Sequence, residues 1–165
     1  MLTTKPVTET DIAAVRALAQ QIWRDYYPGI ITLEQVDFML AKMYDPEVIR
    51  NELAVGTVWE WILRNNETVG YLSYEHDTPS ARVKLNKLYV LPSFHGHGIG
   101  RQMLDHVKAR AARLGAGHVY LTVNKQNARA IRAYQAAGFH IVEAVVTDIG
   151  GGFVMDDFIL RCELR

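Results

Sequence analysis

Hydrophobic residues along the chain follow two rhythms. Ile12, Val15, Leu18, Ala19 and Ile22 recur every three or four positions and share one face of a helix, opened by Thr8 and Asp11 and stopped by Pro28-Gly29. Val36, Met39, Leu40 and Met43 repeat that period behind Thr32, with Gln35 at the spacing of a capping box. A third, shorter helix is expected over 46–53, with proline in its first turn. The period then drops to two. Residues 57–64 and 68–75 read as strands joined at Asn65-Asn66, which tolerate the left-handed geometry of a tight turn. Residues 82–91 form another strand. A helical stripe returns at Met103, Leu104, Val107 and Ala111 and ends near Gly115-Ala116-Gly117. Val119, Leu121 and Val123 alternate on a strand. Ala130, Ile131 and Tyr134 then share the face of a helix capped by Asn127 and closed by Gly138. Residues 141–149 and 153–164 flank three glycines as a final strand pair, and residues 2–7 form a short first strand. This order predicts a mixed α/β sheet with helices on both faces, in one domain over 1–165.

The densest signal is LYVLPSFHGHGIGR, residues 88–101. Pro92 ends the extended run because it has no N–H for a sheet ladder. Gly96, Gly98 and Gly100 follow at alternate positions, so backbone N–H groups lie uncovered where a helix begins. Unpaired donors and the partial positive charge of a helix start suit a phosphate. A Walker A loop needs Gly-Lys-Ser/Thr at the helix entry, and Arg101-Gln102 stand there instead. A G-x-G-x-x-G fingerprint also fails, because its last position falls on Arg101 or Met103. Taken alone, the turn reads equally as an anion grip or as an ordinary strand-to-helix connection. His95 and His97 form an H-G-H pair, but that spacing is a weak metal signal and no metal is expected.

Two stretches together say more. HGHGIG at 95–100, after the Leu-Tyr-Val run, and NARAIRAYQAAGF at 127–139 resemble the motifs of the Gcn5-related N-acetyltransferase (GNAT) superfamily in order and separation. The superfamily's central motif is R/Q-x-x-G-x-G/A, and His95 stands where Arg or Gln is usual. The resemblance implies a mostly antiparallel sheet splayed between its two central strands, with acetyl-CoA as cosubstrate. Along Leu88, Tyr89 and Val90, backbone groups of Leu88 and Val90 would pair with the pantetheine arm. His95 would contact phosphate, and N–H groups of Gly96, His97, Gly98, Ile99, Gly100 and Arg101 would hold the pyrophosphate. Asn127 would bond the cosubstrate near its thioester, and Tyr134 would give a proton to the departing thiolate. A phenol of pKa about 10 stays protonated at neutral pH and can still hydrogen-bond a developing thiolate. Read without the motif, Tyr134 is a core aromatic on an amphipathic helix. The superfamily's frequent base, a Glu on the strand before the turn, does not carry over, because Lys84 and Asn86 stand there. Glu75 is the first candidate base, ahead of Asp77, Asp148, Asp156 and Asp157, each of which reads by itself as a solvated acid.

The runs IWRDYYPGIITLEQVDFMLAKMY and DIGGGFVMDD are similar to those of polyamine N-acetyltransferases of the PaiA type. That similarity implies a small-molecule amine as acceptor, a polyamine or another small amine. Tyr26, Tyr27 and Glu34, beside Asp25 and Asp37, would line one wall for an alkylammonium chain. Read residue by residue, these are ordinary solvated helix positions. Two other readings stay open: acetylation of a protein N-terminus or lysine, which needs an open groove, and a non-catalytic coenzyme A-binding regulatory module. A homodimer through the final strand pair also stays open.

Composition narrows the field. Lys and Arg total 18, as do Asp and Glu, so the chain lacks the basic excess of a nucleic-acid binder. No apolar run approaches membrane-spanning length, so no membrane association is expected. Cys162 is the single cysteine, which excludes an intrachain disulfide and makes a reducing cytoplasm the expected location.

Overall fold

The computed structural model describes residues 1–165. Its strands are β1 (Leu2–Pro6), β2 (Val58–Arg64), β3 (Glu67–Asp77), β4 (Arg82–Val90), β5 (His118–Asn124), β6 (His140–Gly150) and β7 (Phe153–Glu163). Its helices are α1 (Ile12–Tyr26), α2 (Leu33–Met43), α3 (Pro46–Ala54), α4 (Ile99–Arg113) and α5 (Ala128–Ala136). The sheet has seven strands in the order β1-β2-β3-β4-β5-β7-β6. β4 and β5 run parallel, whereas β1–β2, β5–β7 and β6–β7 are antiparallel. This is the mixed, mostly antiparallel architecture expected from the sequence. The parallel ladder is three residues long, Arg82–Lys84 against His118–Tyr120, in strands of nine and seven residues. By packing, the chain divides into two compact units, Met1–Ser73 with Lys87–Ile99 and Tyr74–Asn86 with Gly100–Arg165.

In the first unit, α1, α2 and α3 pack on one another. Their stripes bury Val15, Ala19, Ile22, Trp23, Val36 and Ile49 almost completely. Aromatic rings fill the space beneath: Trp59 stacks on Tyr71 at 6.2 Å, and Tyr44 meets Trp23 edge-on at 5.7 Å. Thr32 caps α2 by accepting from the Gln35 N–H at 3.2 Å. Thr8 caps a short 3-10 turn, Glu9–Asp11, in which the Thr8 N–H donates to Asp11 Oδ2 at 2.9 Å, and Asp11 stands at the N-cap of α1. β1 lies at the end of the sheet, where Pro6 is tolerated.

In the second unit, α4 buries Met103, Leu104, Val107 and Ala111. Val119, Leu121 and Val123 of β5 and Leu160 and Cys162 of β7 complete that core. β6 forms the far edge of the sheet and leaves Ile141, Val142 and Val146 exposed.

Candidate functional site

The end of β4 is shaped by a glycine across from it. A Cβ at Gly70 of β3 would stand 2.1 Å from the Tyr89 carbonyl oxygen and 3.0 Å from the Val90 Cα. Only glycine lets the two backbones approach so closely. The Leu91 N–H then donates to the Val69 oxygen at 2.8 Å, and the chain leaves the sheet through a 3-10 turn, Pro92–Phe94. His95 Nε2–H donates back to the Val90 oxygen at 3.0 Å, which fastens the turn to the strand end. Gly96 and Gly98 take φ of +82° and +75°, the left-handed region that glycine enters without strain. Gly100, in the first turn of α4, has no such need. A Cβ at any of the three would meet no neighbouring atom of the chain within 4 Å. Glycine here is explained neither by packing nor, at Gly100, by backbone geometry, and the turn is an open cradle in front of a helix start.

The C-terminal end of α1 lies against this strand and turn. The Tyr26 ring meets His95 edge-on at 5.9 Å, and the Tyr27 and Tyr89 hydroxyls hydrogen-bond at 2.9 Å. Tyr26, Tyr27, Tyr89 and His95 are thus brought together. Glu34, in the first turn of α2, is exposed, and Asp37 pairs with Arg24 at 3.1 Å. Two cations were not legible as site residues. Arg64, at the end of β2, donates to His97 Nδ1 at 3.2 Å and sits 5.9 Å from the Phe94 ring, which places a guanidinium beside the glycine turn. Lys87 is 6% exposed, and its Nζ lies 4.9 Å from the Trp59 ring and 5.4 Å from the Tyr44 ring. The aromatic box under α1 and α2 is therefore filled by the chain's own ammonium. Burial pushes the hydroxyls of Tyr44 and Tyr89 well above the usual phenol range, so both stay protonated near neutrality.

In the second unit, α5 carries the other expected residues. Asn127, 5% exposed, caps the helix by accepting from the Ala130 N–H at 3.3 Å. Gly138, with φ of +97°, ends it in a Schellman motif: the Phe139 N–H donates to the Tyr134 oxygen at 3.0 Å and the Gly138 N–H to the Gln135 oxygen at 3.1 Å. The Tyr134 and Phe139 rings meet at 5.9 Å, the hydrophobic contact such a motif calls for. Tyr134 is half-buried and held by both its carbonyl and its ring. Two side chains of α4 reach the last carbonyls of α5: Arg101 donates to the Ala136 oxygen at 3.0 Å and Lys108 to the Ala137 oxygen at 2.8 Å. Cations there also oppose the helix dipole.

The sequence model of the acetyltransferase (GNAT) family matches residues 16–139. The chain belongs to that family. An uncharacterized N-acetyltransferase of Mycobacterium tuberculosis is 48% identical over 59 residues, which cover 36% of this chain and 38% of that relative's length. This GNAT chain is also 22% identical over 151 residues to a spermidine N(1)-acetyltransferase of Thermoplasma acidophilum, covering 88% of this chain and 90% of that protein. Among solved structures, a PaiA N-acetyltransferase of the same organism, in complex with coenzyme A, superposes with a TM-score of 0.83 at 19% identity, over 99% of both chains. At that identity the likeness establishes the shared fold.

The acids on or near the strands differ in their surroundings. Glu75 of β3 is exposed. Asp77 accepts from Ser80 and pairs with Arg82 at 3.3 Å, and these partners hold its carboxyl below the usual range. Asp148 accepts the Gly150 N–H at 2.8 Å, and Asp156 pairs with Lys125 at 2.8 Å. Asp157 differs from all of them. It is 5% exposed, and burial followed by the neighbouring Asp156 charge raises its carboxyl to about 6, with Lys125 opposing. The Asp156-Asp157 doublet carried the signal: on a strand, consecutive side chains face opposite ways, so one of the two had to point inward.

Proposed function

We propose that this chain transfers the acetyl group of acetyl-CoA to a primary amine of a small molecule, a polyamine or a similar amine, by direct attack of the amine on the thioester. The observation that carries this reading is the open glycine cradle at the start of α4, in a chain of this family. The residues present fit the group. N–H donors from Gly96 to Arg101 would hold the pyrophosphate, and Arg64 supplies positive charge beside them. His95 commits Nε2 to the Val90 oxygen, so its part in the grip is to secure the turn as well as to face phosphate. Backbone groups of Leu88 and Val90 would take the pantetheine arm, and buried Asn127 would orient the thioester end. When bound, acetyl-CoA supplies an activated acetyl group. The hydroxyl of Tyr134 gives a proton to the leaving sulfur. Residues 1–165 act in this reading as one catalytic domain. In this reading Tyr26, Tyr27 and exposed Glu34 would line one wall for the alkylammonium chain.

Similarity over 88% of this chain to a spermidine N(1)-acetyltransferase supports a small-amine acceptor. The test is thiol release with purified protein, acetyl-CoA, and a panel of spermidine, spermine, monoamines and lysine-bearing peptides. Amine-dependent release is expected, and Tyr134→Phe should keep coenzyme A affinity while slowing turnover roughly 10²–10⁴-fold. Release with peptides alone would exclude a small-amine acceptor. Unchanged turnover in Tyr134→Phe, with chemistry limiting, would remove Tyr134 from the mechanism.

A further inference from the structure

Asp157 is the buried acid of the final strand pair, 5% exposed, and the Lys125 ion pair goes to its neighbour Asp156 instead. Burying a charge is costly, and such groups concentrate at functional sites. The register places it. Asp157 of β7 lies opposite Asn124 of β5 and opposite Val145 of β6. Paired residues in a sheet share a face, so Asp157 stands on the face of Asn124 and Thr122, and Thr122 is exposed. The ladder to β4 stops at Tyr120, so Thr122 and Asn124 lie past its end. From Asn124 the chain turns directly into Asn127, the cap of the helix that bears Tyr134.

We infer that Asp157, in place of Glu75, is the general base that receives the acceptor amine and takes its proton. The assignment rests on the acetyl-transfer reading above. The amine enters as its free base, having left one proton to solvent. As the nitrogen–carbon bond forms and the carbon–sulfur bond breaks, an N–H proton passes to the Asp157 carboxylate. The departing sulfur takes the Tyr134 hydroxyl proton, and solvent later restores both groups. The products are an amide and a free thiol. The charged groups around Asp157 are Asp156 and Lys125, while the residues facing it from β5 and β6, Asn124 and Val145, are uncharged. With its carboxyl raised to about 6, Asp157 is ionised at neutral pH and more basic than an exposed aspartate.

The test is a pH–rate profile of kcat/KM with spermidine as acceptor probe, for wild type, Asp157→Asn and Asp156→Asn. Wild type should lose activity below about pH 6. Asp157→Asn should lower kcat/KM at least 100-fold at pH 8 while melting at a higher temperature than wild type, because it removes a buried charge. Asp156→Asn should keep the rate at pH 8 and move the acid limb to lower pH, since Asp156 is what lifts the Asp157 carboxyl after burial. A kcat/KM within threefold of wild type in Asp157→Asn, an unmoved limb in Asp156→Asn, or a lowered melting temperature in Asp157→Asn overturns the assignment alone. A wild type with no amine-dependent thiol release overturns the acetyl-transfer reading, and the assignment falls with it.

Discussion

Gly70→Ala tests whether the close approach of β3 to β4 shapes the strand end proposed to take acetyl-CoA. Alanine in a strand ordinarily gains ~0.4–1 kcal/mol over glycine by restricting the unfolded chain. Here its Cβ would stand 2.1 Å from the Tyr89 oxygen and 3.0 Å from the Val90 Cα. A relaxed carbon–oxygen contact is about 3.3 Å or more, so the overlap with Tyr89 is about 1.2 Å. Both obstacles are backbone, and no rotamer change relieves them. Overpacking of this kind costs ~1–3 kcal/mol, and the rigid neighbour puts Gly70→Ala at the upper end. For a chain of 165 residues that corresponds to a fall in Tm of about 6–12 °C. Relief requires Tyr89–Val90 to move outward by about an ångström, a displacement able to cost roughly 10²-fold in a positioned site. The assay is a thermal melt together with coenzyme A titration by calorimetry. A Tm within 2 °C of wild type and a Kd within twofold would refute the reasoning.

Gly138→Ala forces an alanine into φ of +97°, with only an ordinary 3.6 Å contact to Cys162 Sγ. The cost is therefore backbone strain, ~1–3 kcal/mol, read by urea melts, and turnover should fall further than coenzyme A affinity because Tyr134 accepts one of the Schellman bonds. Lys108→Met removes a charge-assisted bond to the Ala137 oxygen and should destabilise by ~1–2 kcal/mol in the same assay. The stability of Asp157→Asn should depend on pH with a definite sign. The folded carboxyl near 6 lies above its unfolded value of 3.8, so wild type loses stability as pH rises between the two, and the variant does not. Two units correspond to at most ~3 kcal/mol, and screening by solvent near the carboxylate lowers this to about 1–2 kcal/mol. The Tm difference should vanish near pH 4 and reach a plateau above pH 7; a difference that shrinks with rising pH would contradict it.

Helices and turns were legible because their signals are local. The stripes of α1 and α2 fall on one face each, and Asn65 and Asn66 do take positive φ, 51° and 68°, between β2 and β3. Gly138 terminates α5 by the geometry that glycine favours. What escaped is set by pairing between distant segments. Nothing in the pattern says that β7 inserts between β5 and β6, and this insertion places Asp157 opposite Asn124. The meeting of Arg64 with His97 likewise depends on where strand ends fall in the sheet. Lys87 did leave a trace, since it continues the inward alternation of Val83 and Leu85, all three buried. Periodicity showed the position but not that aromatic rings would accept a cation there.

Arg101 has a further consequence. It is the first residue after the three glycines, yet its guanidinium reaches the Ala136 oxygen 35 positions later, two residues beyond Tyr134. In the proposed reading, the turn that would grip a diphosphate and the helix that carries Tyr134 are thus joined by this guanidinium, with Lys108 beside it. Added salt weakens such exposed attractions. Ionic strength should therefore act on this protein twice, once on ligand capture and once on the alignment of the phenol, and the two effects can be separated by comparing saturating with limiting cosubstrate.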